Sequence, residues 1–201
     1  ILRYWGAPQD VPPLSDCERE ERMKRVLKSI AIAAGILLVV VLSRPTPLSL
    51  VLGGSIVFFG EAFRVWASGH LLRNRELTTS GPYAHLRDPL YLGRLLLLVG
   101  FCVMGWGYSW VILLPGLAVF FLNYMPRKYR KEMARLEELF GEEYKGYSSY
   151  ASSLVPRLKP YPYAKKKPWR FDLFWNENRE QYFLIGEMAL SLVILGRYWY
   201  L

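Results

Sequence analysis

Cysteine and histidine are nearly missing from this chain: Cys17, Cys102, His70 and His85 are all that its 201 residues hold. Zinc sites need clustered ligands at short spacing, and no such set exists, so no metal centre is expected. One cysteine lies in the polar N-terminal region and the other inside an apolar run, so no disulfide is expected either. No internal repeat occurs. Gly-x-Gly appears once, at Gly105 and Gly107, with no strand before it and no third glycine, which argues against a dinucleotide-binding fingerprint. Acidic residues are outnumbered, 17 Asp and Glu against 26 Lys and Arg, giving a net charge of +9. No cleavable leader is visible, because residues 1–27 are polar and the first apolar run follows them. The chain opens on Ile1, and a native start upstream of it is expected.

What the chain does have is apolar sequence in blocks. Residues 30–42 carry no charge, 47–59 follow a short Ser43-Arg44-Pro45-Thr46 break, and 95–103, 110–122 and 183–195 complete the set. With their flanks, each reaches the roughly 17–25 residues that cross a hydrocarbon core. The expectation is an all-α integral membrane protein of one domain with about five transmembrane helices, near 27–43, 47–67, 89–106, 109–125 and 181–199. Four of these lie within 27–125. Residues 1–26 form an N-terminal cytoplasmic segment, 126–180 a cytoplasmic region, and 181–199 the last span.

Orientation follows from the basic residues. Arg19, Arg22, Lys24, Arg25 and Lys28, then Arg73, Arg75 and Arg87, then the stretch 127–179 fall on one side, while the opposite turns hold little besides Arg44. The N-terminus is therefore expected in the cytoplasm and the C-terminus across the membrane. The positive charge is read as this topology signal plus attraction to anionic lipid; nucleic-acid binding is not expected. The outer turns at 44–47 and 105–108 are too short for a site. The inner regions 68–90 and 126–160 are not, and a pocket is expected between them.

Within the first region, the run from Thr78 to Gly93 packs turn formers, aromatics and fixed charge against the start of a helix. Arg94 enters the apolar run, where a charge at mid-bilayer costs roughly 2.5–3.5 kcal/mol on insertion scales. It either snorkels to the headgroups or faces a protein or water-lined cavity. Arg87 either grips a lipid phosphate, closes a salt bridge with Asp88, or serves a ligand. Tyr83 and Tyr91 flank Pro89 and each offers a ring and a hydroxyl. In the second region, 126–146 has helical composition and reaches a glycine. Steps of four, seven and eight from Glu132 land on Leu136, Leu139 and Phe140, which places Glu132 on the apolar face. Pairing with Lys128 or Arg135 is its alternative role. The basic, aromatic stretch 165–175 suits an anchor at headgroup level.

The ordered set Arg64-x-Trp66-Ala67, Leu77-Thr78-Thr79-Ser80-Gly81-Pro82-Tyr83, Arg87-x-Pro89-x-Tyr91-x-Gly93, Glu132-x-x-x-Leu136-x-x-x-Phe140-Gly141-x-x-Tyr144-x-x-Tyr147 and Pro156-x-x-x-Pro160 resembles the isoprenylcysteine carboxyl methyltransferase family. The likeness covers about residues 60–160, and Asn178-Arg179-Glu180 is similar to prokaryotic members. It implies a multi-span methyltransferase that binds S-adenosylmethionine at its cytoplasmic face and takes a lipophilic or lipidated acceptor from the bilayer. Two positions depart from the family's pattern: Asp88 stands where histidine is common, and Met133 follows Glu132 where a second glutamate is common.

Under that resemblance the cofactor residues are Tyr83, His85, Arg87, Pro89, Tyr91, Gly93, Glu132 and Tyr144, with Arg87 and Glu132 closest to the chemistry and Arg94 and Arg157 on the acceptor. Arg87 suits the cofactor carboxylate as a charge-assisted fork, and Glu132 suits its ammonium or ribose diol. Methyl transfer is an in-line displacement in which positioning and desolvation dominate. A carboxylate arrives ionised and needs no base, whereas an amine does; only His85 and Asp88 stand near as bases, which favours an oxygen or thiol acceptor. Two other readings remain: a nicotinamide-dependent membrane reductase of the sterol or steroid type, which shares an Arg-x-Pro-x-Tyr-x-Gly segment, and a non-catalytic lipid-binding protein.

Overall fold

Each apolar block becomes a helix in a computed structural model that describes residues 16–200. Residues 1–15 of the expected N-terminal segment lie outside the described residues. Among the described residues there are six α-helices and no strand: α1 Asp16–Leu42, α2 Pro47–Ser68, α3 Pro89–Gly105, α4 Trp110–Val119, α5 Met125–Tyr150 and α6 Gln181–Tyr200. The chain divides into two units, Ile1–Leu37 and Leu38–Leu201. In the first, α1 carries an exposed Lys24–Glu20 ion pair one turn apart at 2.7 Å. The rest of the fold belongs to the second.

Among the described residues, four helices are long and apolar enough to cross a membrane: Arg22–Leu42, Pro47–Ser68, Trp110–Tyr150 and Gln181–Tyr200. Only 6% of the apolar window of Gln181–Tyr200 is buried within the protein, so that surface needs cover from elsewhere, as in a multi-pass membrane protein. This corrects the expected five in one respect. The block at 89–106 is a helix of 17 residues and falls short of the others.

A second correction concerns 109–150, expected as a span, then a separate helix ending at Gly146. It is one continuous run, α4, a π turn over Phe120–Tyr124, and α5. Within the π turn the Met125 N–H reaches back to Phe120 O, and the widened turn accommodates Pro126, which has no N–H to give. Gly146 stays helical; Gly141 instead takes φ 49°, ψ −122° and kinks α5 in its middle. The helix continues to Tyr150 because Tyr144, Tyr147 and Ala151 are buried against Leu77, an anchorage worth more than a glycine's preference to stop.

The tight turns form where expected. Thr46 caps α2 reciprocally with Ser49. Between α3 and α4, Trp106 and Gly107 both adopt positive φ, 47° and 57°. The core of this unit gathers Val39, Val57, Leu97, Phe101, Met104 and Ile194.

The α2–α3 contact rests on glycines spaced seven apart, Gly53 and Gly60 facing Gly93 and Gly100. A methyl on Gly53 would stand 2.2 Å from the Met104 nitrogen, and one on Gly93 the same distance from Arg64 Cγ. Small residues at such seams let apolar helices approach closely. Gly53→Ala is expected to cost about 1–3 kcal/mol by overpacking. Gly54→Ala, which meets nothing within 4 Å, gains up to about 1 kcal/mol of helix propensity. Thermal unfolding of the two variants in one detergent separates these outcomes.

The seam also encloses charge. Arg64 is 1% exposed; its Nη2 contacts Glu180 Oε2 and its Nη1 donates to Glu187 Oε1 at 2.7 Å, both on or beside α6. Phe183 covers the guanidinium at 4.8 Å.

Candidate functional site

The run Thr78–Gly93 turns twice before α3. A 3₁₀ turn over Gly81–Ala84 begins at Gly81, whose φ of 58° suits glycine, and Pro89 opens α3 at a position where its missing N–H costs nothing. The segment is tied to the chain beyond α5 by main-chain bonds: Arg87 N to Ser152 O at 2.8 Å, Arg157 N to His85 O at 2.9 Å and Tyr161 N to Ala84 O at 2.7 Å. Tyr147, 2% exposed, donates its hydroxyl to Tyr83 O at 2.7 Å. The polar regions 68–90 and 126–160 are thereby joined.

Between them lies a cavity of about 560 Å³, in the range of small-molecule sites. Of the residues expected to form a site, Tyr83, Arg87, Pro89, Tyr91, Arg94, Glu132 and Tyr144 all line it. His85, Gly93 and Arg157 do not. His85 Nδ1 lies 2.8 Å from Arg157 O, outside the cavity, and Arg157 stacks its guanidinium on Tyr150 at 4.7 Å. Gly93 belongs to the α2–α3 seam, where the backbone needs its missing side chain. Leu139, taken to share Glu132's face, is exposed, whereas Met133 and Leu136 pack beside Tyr144 and Tyr147; the kink at Gly141 follows immediately.

Arg87 is oriented from two sides. Its Nε donates to Asp88 Oδ2 at 3.3 Å, and its guanidinium sits 4.7 Å from the Tyr129 ring centre. A guanidinium has five N–H donors, so donors remain for a ligand carboxylate. Asp88 accepts at the same oxygen from Ser153 Oγ at 2.6 Å. Burial pushes the Asp88 carboxyl above its ordinary value, against the opposing pull of Ser153 and Arg87. Asp88 thus holds Arg87 in place. Burial likewise raises the Tyr83 phenol well above its usual range, and it stays neutral.

On the facing wall, Tyr91 Oη donates to Glu132 Oε2 at 2.6 Å, leaving the other carboxylate oxygen for a ligand. Tyr91 meets Tyr124 edge to face, ring centres 5.7 Å apart. Arg94 contacts the Tyr124 hydroxyl through Nη1 and lies over both rings. It faces protein, and this accounts for a charge inside an apolar helix.

The lining also holds Arg73, Asn74, Glu76 and Lys131, which sequence reasoning did not assign to the site, and Lys128 and Arg135, which it considered only as partners of Glu132. A signal was present, since Lys128, Lys131, Glu132 and Arg135 recur at three, four and seven residues and share one face of α5. Counting the charged lining gives six cations (Arg73, Arg87, Arg94, Lys128, Lys131, Arg135) and three anions (Glu76, Asp88, Glu132). Such a lining favours ligands with negative groups. No cluster of His, Cys, Asp or Glu among the described residues is arranged to hold a metal ion. No protein-family model matches the chain, and no curated protein or solved structure matches it either.

Proposed function

We propose that the protein is an S-adenosylmethionine-dependent methyltransferase of the isoprenylcysteine carboxyl methyltransferase type, acting at the cytoplasmic membrane face on a lipophilic acceptor. The observation that carries this reading is the convergence, on one cavity, of Arg87, Tyr91, Glu132 and Tyr144 from segments more than forty residues apart. Arg87 takes the methionine carboxylate, and Glu132 Oε1 accepts from the ammonium or the ribose diol. Tyr83 and Tyr144 supply apolar walls against which the adenine and the sulfonium are desolvated. When bound, S-adenosylmethionine supplies the methyl group; the chain's own part is to align it and exclude water. The cation excess of the rim suits a carboxylate acceptor, which needs no base. With the N-terminus in the cytoplasm, this rim lies on the cytoplasmic side, where the positive-inside bias puts it.

The same cation excess also favours a nicotinamide-dependent reductase, whose cofactor bears several phosphates. Thermal unfolding in detergent with each cofactor discriminates. Stabilisation by S-adenosylmethionine or S-adenosylhomocysteine, about 2.7 kcal/mol at a hundredfold excess over Kd, is the expected result. Stabilisation by NADPH alone would reverse the assignment.

A further inference from the structure

The ion triad of Arg64 with Glu180 and Glu187 is joined by a fourth group, Glu61, one turn before Arg64 on α2. Glu61 is 7% exposed, and its Oε2 points at Arg64 Nη1 from 3.6 Å, beyond hydrogen-bonding reach. Among the described residues, neither Glu61 oxygen has a hydrogen-bond partner, and Glu187 Oε2 also lacks one. Three carboxylates thus surround one guanidinium, Glu61 and Glu187 within helices that read as membrane spans and Glu180 just before α6. Fully ionised, the group carries two uncompensated negative charges, which burial in apolar surroundings strongly opposes. The unsatisfied carboxylate atoms are all acceptors and lack a donor; Arg64 Nε, also without a partner among the described residues, forms no bond to them.

We propose that this cluster is a proton-binding site, in which Glu61 is the neutral acid and donates to Glu187 Oε2. One proton joins a Glu61 oxygen to Glu187 Oε2, leaves a single Glu61 oxygen without a partner, and removes one of the two excess charges. The charged groups bearing on Glu61 are Arg64 on its own helix and Glu180 and Glu187 on the α6 side. From α3, the groups nearest Gly60, the residue before Glu61, are Leu96, Gly93 and Leu97, none of which titrates. From the π turn at Leu173–Glu177, Glu177 is engaged with Arg75 at 3.0 Å. In the 3₁₀ turn, Tyr83 is neutral. Loss of the proton sets Glu61 and Glu187 against each other across α2 and α6, so the site makes that contact sensitive to pH. The assignment is independent of the cofactor proposed above, because methyl transfer to a carboxylate neither takes up nor releases a proton.

The test is infrared spectroscopy of the full chain in detergent, paired with thermal unfolding across about pH 6 to 9. The wild type is expected to show a protonated-carboxyl carbonyl band that Glu61→Gln removes and Glu132→Gln retains. Its unfolding temperature is expected to fall by about 3 °C as pH rises, while Glu61→Gln stays flat. Should Glu61→Gln fail to fold, Glu187→Gln serves in its place: the carbonyl band then shifts as its hydrogen-bond acceptor changes from carboxylate to amide. An unchanged band and pH profile in these variants overturns the proposal. So does stabilisation of the wild type by sodium or potassium ions, with no carbonyl band, which would make a metal cation the occupant.

Discussion

Arg64→Ala is expected to abolish recovery of folded protein, or to lower stability by about 3–5 kcal/mol, the range for breaking a buried ion pair by removing one partner. Whole-domain stabilities of about 5–15 kcal/mol make that a large share. The arginine is the single cation among Glu61, Glu180 and Glu187, and its planar fork engages Glu180 and Glu187 through different nitrogens. Removing it leaves carboxylates that must all be neutralised or hydrated inside the bundle. It also opens a void beneath Phe183 and beside Gly93. Arg64→Lys is expected to be intermediate, since one ammonium cannot reproduce the two-pronged contact. Size-exclusion profiles and thermal unfolding in the same detergent measure the series. Unfolding of Arg64→Ala within about 1 kcal/mol of the wild type would mean that the cluster contributes no more than a surface pair.

The second large effect falls on ligand binding. Arg87→Ala and Glu132→Ala are each expected to weaken S-adenosylhomocysteine binding about 10- to 100-fold, since a hydrogen bond to a charged group is worth roughly 1.5–3 kcal/mol. The two losses differ in kind. Arg87→Ala removes the proposed carboxylate fork and leaves the half-buried Asp88 with Ser153 alone. Glu132→Ala frees the Tyr91 hydroxyl and removes an acceptor without touching the buried core. Glu132→Ala should therefore leave the unfolding temperature close to that of the wild type. Arg135→Ala, on the same face of α5, offers a comparison for the general loss of positive charge. Isothermal calorimetry reads all three, and undiminished affinity in both Arg87→Ala and Glu132→Ala would refute the placement of the cofactor.

Much of this architecture was legible because apolar blocks and charge placement act over short stretches of chain. The turns at 44–47 and 105–108, the helical blocks and the meeting of 68–90 with 126–160 all follow from where the chain is apolar and where it is not. The length of the run Trp110–Tyr150 was not legible, because Pro126 and Gly146 are helix-ending signals by propensity alone. A π turn absorbs the first, and burial of Tyr144 and Tyr147 overrides the second. Gly93 was assigned to a cofactor because it ends a motif. Its place on the α2–α3 seam depends on the pairing with Gly60 on the preceding helix.

The cluster around Arg64 was hidden for a similar reason. Glu61 and Arg64 are neighbours on one helix, but Glu180 and Glu187 arrive from more than a hundred residues away. Within the cavity, Arg87, Tyr91 and Glu132 could be named from sequence, whereas Tyr129 and Ser153, which back it without lining it, could not. Their roles consist of holding Arg87 and Asp88, and such second contacts leave no composition signal.

Incubating the purified full chain with radiolabelled methyl donor and a membrane extract, then separating the lipids, tests the central claim most directly. The account predicts label in a lipid fraction, strongly reduced with Arg87→Ala and with Glu132→Ala. No label above the level of those variants, in a preparation that NADPH stabilises and S-adenosylmethionine does not, would contradict it.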